Sequence, residues 1–256
     1  MSDNDLVLNE FEKIIPSFND SPYERILAIG DIHGKFDKFQ SLWNKLEVTD
    51  KDLVIFLGDY IDRGESVADV LQWILINSKK KNFIFLRGNH EQFMLNSFDE
   101  KKHDEFFYTW ITNGGAETLM GLKASITRLN TKHVLKFFET LPIGFYMEVG
   151  KRKYFFCHAG VRNGIPLDQQ SAEDLLWIRY EFLDNYDGEE IIIVGHTKVQ
   201  DFSNLEGKPL IPEGKTPIPM KVPNRNIVMM DTGPYLPDGK MSCLDILSGK
   251  IWLSDD

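Results

Sequence analysis

The sequence predicts an α/β fold in which parallel strands end in ligand-bearing loops. Three observations lead there. Five short runs, Arg25–Ile29, Leu53–Leu57, Phe83–Leu86, Lys153–Cys157 and Ile191–Val194, read as buried strands. Each passes at once into a loop that joins glycine to Asp, His or Asn. Stretches of helical periodicity separate the first three, and a strand–loop–helix repeat builds parallel strands through right-handed crossovers.

Residues 1–24 read as a polar N-terminal extension, in which Leu6-Val7-Leu8 and Ile14-Ile15 could form a short strand or docking segment. Residues 25–256 read as one domain, without internal repeat, low-complexity stretch or interdomain linker. The first strand ends in Gly30-Asp31-Ile32-His33-Gly34, and Phe36, Phe39, Leu42, Trp43 and Leu46 then follow a helical spacing. The second ends in Gly58-Asp59-Tyr60-Ile61-Asp62-Arg63-Gly64, the stretch around which the chain is organised. Ser66 suits the N-cap of a helix through Val67, Val70, Leu71, Ile74 and Leu75. The third strand ends in Arg87-Gly88-Asn89-His90-Glu91.

From Gln92 to Thr140 the pattern is mostly helical, interrupted at Asn113-Gly114-Gly115. Its apolar residues, Phe106 to Phe138, are core or the lining of a substrate groove. The fourth strand ends in His158-Ala159-Gly160, and a helix around Ala172 to Leu183 carries Trp177 and Arg179. The fifth ends in Gly195-His196-Thr197. Lys208 to Pro223 is proline-rich and reads as a surface loop. Asn226–Met230 is a further strand ending in Asp231-Thr232-Gly233, and residues 241–253 form a hairpin about Ser248-Gly249.

Composition narrows the function. The 256 residues carry 42% hydrophobic side chains, enough for a large core. A formal net charge of -10 argues against nucleic-acid or anionic-membrane partners, which attract a basic field. Two distant cysteines, Cys157 and Cys243, give no disulfide framework. No apolar stretch approaches the ~18 residues needed to cross a bilayer, and the first residues lack a signal-peptide core, so a cytoplasmic location is expected.

If the five strands are neighbours, Asp31, His33, Asp59, Asn89, His158 and His196 converge on one sheet edge. Carboxylate with imidazole suits Mn, Fe or Zn. One Gly-Asp turn alone is ordinary turn material; five such strand ends are not. Cys157 reads as a buried inert thiol, His103 and His133 as surface residues and Asp231 as a structural strand end. Tyr235 is a candidate to overhang the site.

These motifs, Gly30 to Gly34, Gly58 to Gly64, Gly88 to Glu91, His158 to Gly160 and Gly195 to Thr197, resemble those of the calcineurin-like metallophosphoesterases, and within them the phosphoprotein phosphatases. Asn113-Gly114-Gly115 and Leu176-Trp177-Ile178-Arg179 are similar to the compact bacterial and phage branch. The resemblance runs from about Arg25 to the C-terminus. It implies a β-sandwich of two mixed sheets flanked by helices, with a metal site at the C-terminal ends of strands. It implies that Asp31 and His33 bind one divalent ion, that Asn89, His158 and His196 bind a second, and that Asp59 bridges both. His90 then resembles the general acid, Asp62 the carboxylate that positions it, and Arg63, Arg87 and Arg179 the phosphate clamps. The implied activity is serine/threonine phosphoprotein hydrolysis by in-line attack of a metal-activated hydroxide, with manganese the leading metal. Phosphopeptides and small phosphate esters are the implied substrates. The alternative is a symmetrical dinucleoside tetraphosphate hydrolase; Glu91 and Asp62-Arg63 favour the phosphatase. A non-catalytic phosphoprotein-binding module is disfavoured because every expected ligand is present.

Overall fold

The computed structural model describes residues 12–13, 23–124, 129–201 and 216–255. The chain begins with β1 (Glu12–Lys13), β2 (Arg25–Ile29), α1 (Phe36–Leu46), β3 (Asp52–Phe56), α2 (Val67–Asn77) and β4 (Phe83–Phe85). A helical stretch follows: α3 (Asn89–Phe98), α4 (His103–Trp110), a kinked turn (Ile111–Gly115), α5 (Ala116–Ala124) and α6 (Thr131–Glu139). Next come β5 (Gly144–Val149), β6 (Arg152–Cys157), α7 (Ala172–Trp177), α8 (Tyr180–Asn185) and β7 (Ile191–Val194). The chain closes with β8 (Met220–Lys221), β9 (Ile227–Met229), β10 (Ser242–Asp245) and β11 (Ile251–Leu253).

The strands make two mixed sheets, as the motif resemblance implies. One is ordered β11-β10-β2-β3-β4, with β2, β3 and β4 parallel and β10 antiparallel to both neighbours. The other is ordered β1-β5-β6-β7-β9-β8, with β6, β7 and β9 parallel. The period of two along each strand decides what packs where. In β2, Ile26 and Ala28 enter the core between the sheets, whereas Leu27 and Ile29 face the helical layer. In β3, Leu53 and Ile55 face inward, and Val54 and Phe56 face outward. Both faces are covered, so these strands are near-continuous apolar runs. Each large side chain buried this way contributes about 1.5–3 kcal/mol.

The outer layer on the first sheet is aromatic. Phe39 and Trp43 of α1 meet Trp73 of α2, each with ring centroids 4.7 Å apart, and Phe56 stacks on Phe85 at 4.6 Å. On the second sheet, Leu175 and Leu176 of α7 and Phe182 of α8 pack with Phe155, Ile192 and Met229. No helix among the described residues is long and apolar enough to cross a membrane.

Several expectations are refined. The five apolar runs are not neighbours in one sheet: three lie in the first and two in the second. Their ends still converge, because the two sheets pack face to face over a shared core. The His158 ring at the end of β6 donates through Nδ1 to the Leu57 carbonyl at the end of β3, 2.8 Å away. The strand β5 is an addition, with Phe145, Met147 and Val149 directed into the inter-sheet core. The helix expected over Ala172 to Leu183 breaks at Ile178-Arg179. Ser66 stands at the N-cap of α2, but its hydroxyl makes no capping bond; its N–H donates to the Gly34 carbonyl at 3.0 Å. Leu6-Val7-Leu8 and Ile14-Ile15 lie outside the described residues, as does 202–215 of the proline-rich loop; β8 forms in its remainder. The short β1 pairs parallel to β5.

Candidate active site

The strand-end loops adopt backbone that most residues avoid. Among the described residues, seven non-glycine residues have positive φ, and five of them, His33, Asp59, Asp62, Arg63 and His196, belong to the predicted site. Left-handed backbone costs roughly 1–3 kcal/mol per residue and persists only where its surroundings impose it. The concentration at these loops points to function.

Glu91 imposes much of it. Fully buried in the first turn of α3, its carboxylate accepts four backbone N–H groups. Oε2 takes Gly88 and Asp59, each at 2.9 Å, and Oε1 takes Tyr60 at 2.8 Å and Ile61 at 3.4 Å. One side chain thereby ties the end of β4 to the loop after β3. Gly88 leaves room for this crossing: a Cβ there would lie 2.2 Å from Asp59 Oδ1.

The six predicted ligand residues are all buried and come together. Asp59 lies at the centre. Its Oδ2 is 3.4 Å from His33 Nε2, and its Oδ1 is 3.3 Å from His158 Nε2. Asp31 Oδ2 lies 3.8 Å from His33 Nε2. Asn89 Oδ1 meets His158 Nε2 at 2.8 Å and His196 Nδ1 at 2.9 Å. Donor atoms of His33, Asp59 and His90 form one group, and those of Asp59, His158 and His196 another, each within 4.8 Å. Asp59 belongs to both.

These donors fit divalent metal ions. His33 Nδ1 donates to the Ile61 carbonyl and His158 Nδ1 to that of Leu57, so each presents Nε2 to the cluster. At His158 that nitrogen faces two oxygens, Asn89 Oδ1 and Asp59 Oδ1. Acceptor faces acceptor there unless a proton or a cation lies between. Electrostatics agree. Burial pulls the His158 imidazole down, but the Asp59 carboxylate outweighs it and holds the ring at about 9. Burial, reinforced by Asp231, pushes Asp31 well above the usual carboxylate range. Burial also drops His33 and His196 well below the usual imidazole range, which keeps them neutral as ligands must be. Imidazole nitrogen mixed with carboxylate and amide oxygen suits Mn, Fe or Zn.

His90 borders this cluster. Its Nδ1 donates to Asp62 Oδ2 at 2.7 Å, and its Nε2 stands 3.8 Å from Asp59 Oδ2. Arg63 reaches in: Nη1 donates to His33 Nε2 at 2.7 Å, and its guanidinium lies 4.4 Å from the Tyr235 ring centre. Tyr235 packs edge-on to His33 at 5.1 Å, so it does overhang the site. Arg179, in the break between α7 and α8, donates to the His196 carbonyl at 3.0 Å and to Thr197 Oγ1 at 3.1 Å. Arg87 is placed differently. Its guanidinium donates to the carbonyls of Phe138, Glu139 and Leu141 and to Gln92 Oε1, stitching the end of α6 to β4.

A groove of about 1080 Å³ opens beside the site, lined in part by Arg87, Phe93, Phe98, Phe106, Leu135 and Trp177. Phe93 and Trp177 pack edge-on at 4.6 Å and flank His90 and His196. The apolar side chains of this helical stretch thus divide: Trp110, Val134 and Phe138 are core, while Phe106 and Leu135 line the groove. Asp231 turns back on its own loop, accepting the Gly233 N–H at 2.8 Å. The Cys157 thiol is buried and pushed up by that burial, as an inert thiol should be. His103 and His133 are exposed.

The calcineurin-like phosphoesterase family model matches residues 24–227. The chain belongs to this family. It is 31% identical over 196 residues to serine/threonine-protein phosphatase 2 of Escherichia coli (strain K12), covering 71% of this chain and 85% of that one. It is 25% identical over 208 residues to the asymmetrical bis(5'-nucleosyl)-tetraphosphatase PrpE of Anoxybacillus flavithermus, covering 68% of this chain and 78% of that one. The solved structure of a candidate diadenosine tetraphosphatase has the same fold, with a TM-score of 0.66 at 14% identity over 95% of this chain and 96% of that one.

Three side chains of this phosphoesterase site carry more than their sequence positions announce. Glu91 is legible as a motif residue, but not as the acceptor of four N–H groups. Trp110 reads as core, yet its indole N–H bonds Asp62. Thr118 carries no sequence signal, and its hydroxyl also bonds Asp62.

Proposed function

We propose that the chain is a serine/threonine protein phosphatase that works with two divalent transition-metal ions, manganese foremost and iron or zinc as substitutes. Residues 25–256 form the catalytic unit in this reading, 1–24 an extension to it, and the two widely spaced, unpaired cysteines accord with cytoplasmic action. The observation that carries the reading is the buried His90–Asp62 pair at 2.7 Å beside the donor cluster. Asp62 accepts the hydrogen bond of the Nδ1–H and supplies a counter-charge, so Nε2 is the atom aimed at the substrate. A serine alkoxide is a strongly basic leaving group and needs a proton; the phosphate leaving groups of a dinucleoside polyphosphate need one far less.

In this reading Asp31, His33 and Asp59 would hold one ion, and Asp59, Asn89, His158 and His196 would hold the other. When bound, such ions lower the pKa of water to yield a nucleophile and neutralise phosphoryl oxygens. His90 gives its Nε2 proton to the departing oxygen. Arg63, beside His33, and Arg179, beside His196, take phosphoryl oxygens from the two ends of the cluster, and bidentate guanidinium contacts suit that task. Arg87 joins them at the mouth of the groove. The groove beside His90 accommodates the residues that flank a phosphoserine or phosphothreonine.

The similarity to PrpE supports a second reading, a dinucleoside tetraphosphate hydrolase. Turnover of a phosphoserine peptide, p-nitrophenyl phosphate and diadenosine tetraphosphate, each with manganese, separates the two. The expected result is a kcat/KM at least about tenfold higher for the peptide than for the dinucleotide, a gap of one decade in transition-state stabilisation. The reverse order establishes the second reading, and its products, two ADP or ATP with AMP, show whether cleavage is symmetrical.

The arginines should separate by stability. Arg63→Ala is expected to weaken inhibition by inorganic phosphate and raise KM, with metal content and unfolding midpoint near those of the parent. Arg87→Ala should weaken phosphate too, but also lower stability by about 1.5–3 kcal/mol, because it leaves buried carbonyls without a charged donor. Phosphate inhibition with metal analysis, and urea unfolding, measure the two effects. Unchanged phosphate inhibition in Arg63→Ala, or unchanged stability in Arg87→Ala, contradicts the assignments.

A further inference from the structure

We infer that the segment from α4 through α5 is part of the catalytic apparatus, with Trp110 and Thr118 acting as positioning residues that aim the Asp62 carboxylate at His90. This inference rests on the reading of His90 as the general acid.

Asp62 makes one bond to His90 and three to the α4–α5 segment. Trp110 Nε1 donates to Oδ2 at 2.9 Å, the same oxygen that accepts the His90 Nδ1–H. Thr118 Oγ1 donates to Oδ1 at 2.5 Å and accepts the Asp62 backbone N–H at 3.0 Å. All three side chains are fully buried. Thr118 therefore fixes both the backbone and the side chain of Asp62, and Trp110 sets the plane of the carboxylate. The next residue is held as well: Arg63 N–H donates to the Gly114 carbonyl at 3.1 Å.

The kink at Asn113-Gly114 makes this arrangement possible. Trp110 ends α4 and Thr118 lies in the first turn of α5, so the turn between them must fold both toward one carboxylate. Gly114 has φ of +107°, and a Cβ there would lie 2.7 Å from Arg63 N. A Cβ on Gly115 would lie 2.6 Å from the Trp110 ring. The two glycines thus admit the Asp62-Arg63 loop on one side and the indole on the other. Asp62 and Arg63 both sit at left-handed φ, +70° and +67°, and these contacts from the α4–α5 segment hold them there. A merely structural segment would pack on apolar surface. This one places two polar hydrogens on the carboxylate that orients the acid.

The test uses Thr118→Val, which keeps shape and removes the hydroxyl, Thr118→Ser, which restores it, and Trp110→Phe, which removes the indole N–H. Turnover on a phosphoserine peptide and on p-nitrophenyl phosphate is measured for each, alone and in a His90→Asn background, with metal content and melting temperature. Thr118→Val and Trp110→Phe are expected to lose on the order of tenfold in kcat on the peptide, the worth of a hydrogen bond to a charged group. On p-nitrophenyl phosphate, whose phenolate leaves without help, the loss should be within about threefold. Thr118→Ser should recover most of the peptide rate, and neither loss should persist once His90 is asparagine. Equal losses on both substrates, or full losses in the His90→Asn background, overturn the inference while leaving the acid intact. If His90→Asn itself loses metal, or loses equally on both substrates, the acid reading fails instead. Should Thr118→Val not fold, Trp110→Phe decides alone.

Discussion

Replacing His90 by asparagine should lower turnover of a phosphoserine peptide by about 10²–10⁴-fold, the range general acids supply, while both metal sites stay filled. The loss on p-nitrophenyl phosphate should be distinctly smaller. The contrast follows from the leaving group: serine's alkoxide is strongly basic and must be protonated as it departs, whereas p-nitrophenolate is stable without a proton. A rival reading makes His90 a metal ligand, since its Nε2 is 3.8 Å from Asp59 Oδ2 and the ring belongs to one of the two donor groups. The readings diverge in measurement. A ligand would lose metal and activity together, equally on both substrates. Asp62→Asn should reproduce the acid's pattern at smaller amplitude.

The second large effect is on stability. Glu91→Ala should destabilise the metal-free protein by at least about 4 kcal/mol, a loss confined to a few mechanisms of which a broken buried polar network is one. The carboxylate's four N–H donors would be left buried and unpaired, each at about 1–3 kcal/mol. Against a typical total of about 5–15 kcal/mol, such a loss brings the fold near its limit. Glu91→Gln keeps one acceptor oxygen and should fall between parent and alanine. Urea unfolding in chelator keeps metal binding out of the comparison. A loss below about 1 kcal/mol for Glu91→Ala would show that the loop holds itself. Burial, with Asp59 nearby, raises the Glu91 carboxyl to about 7. A carboxyl raised in the folded state favours the protein below its unfolded value, and that contribution fades as pH rises from about 4.5 to about 7.

Much of this was legible in the residues. Strands β2, β3 and β7 are buried on both faces, so they stand out as apolar runs, and the ligands follow them directly. The six ligand-type residues gather as their strand ends suggest, although in two sheets and not one. That split could not be read, because nothing local to Leu57 or His158 says that their strands belong to different sheets. The strand β5 had a signal, the alternation of Phe145, Met147 and Val149 with Tyr146 and Glu148, hidden behind a long helical stretch. Arg87 follows a strand and precedes Gly-Asn-His-Glu, which marks it for phosphate; the carbonyls it meets lie about 50 residues on, and only the fold brings them there. Thr118 is the extreme case. Its link to Asp62 spans 56 residues and depends on the kink at Asn113-Gly114.

The central claim is a dinuclear centre bridged by Asp59. Metal analysis after reconstitution and desalting tests it most directly, on the parent and on Asp59→Asn. The account predicts two divalent ions per parent chain and weakened binding at both sites in Asp59→Asn, because one carboxylate faces both donor groups. A maximum of one ion in the parent, or an Asp59→Asn protein that loses one ion alone and turns over near normally, would contradict it.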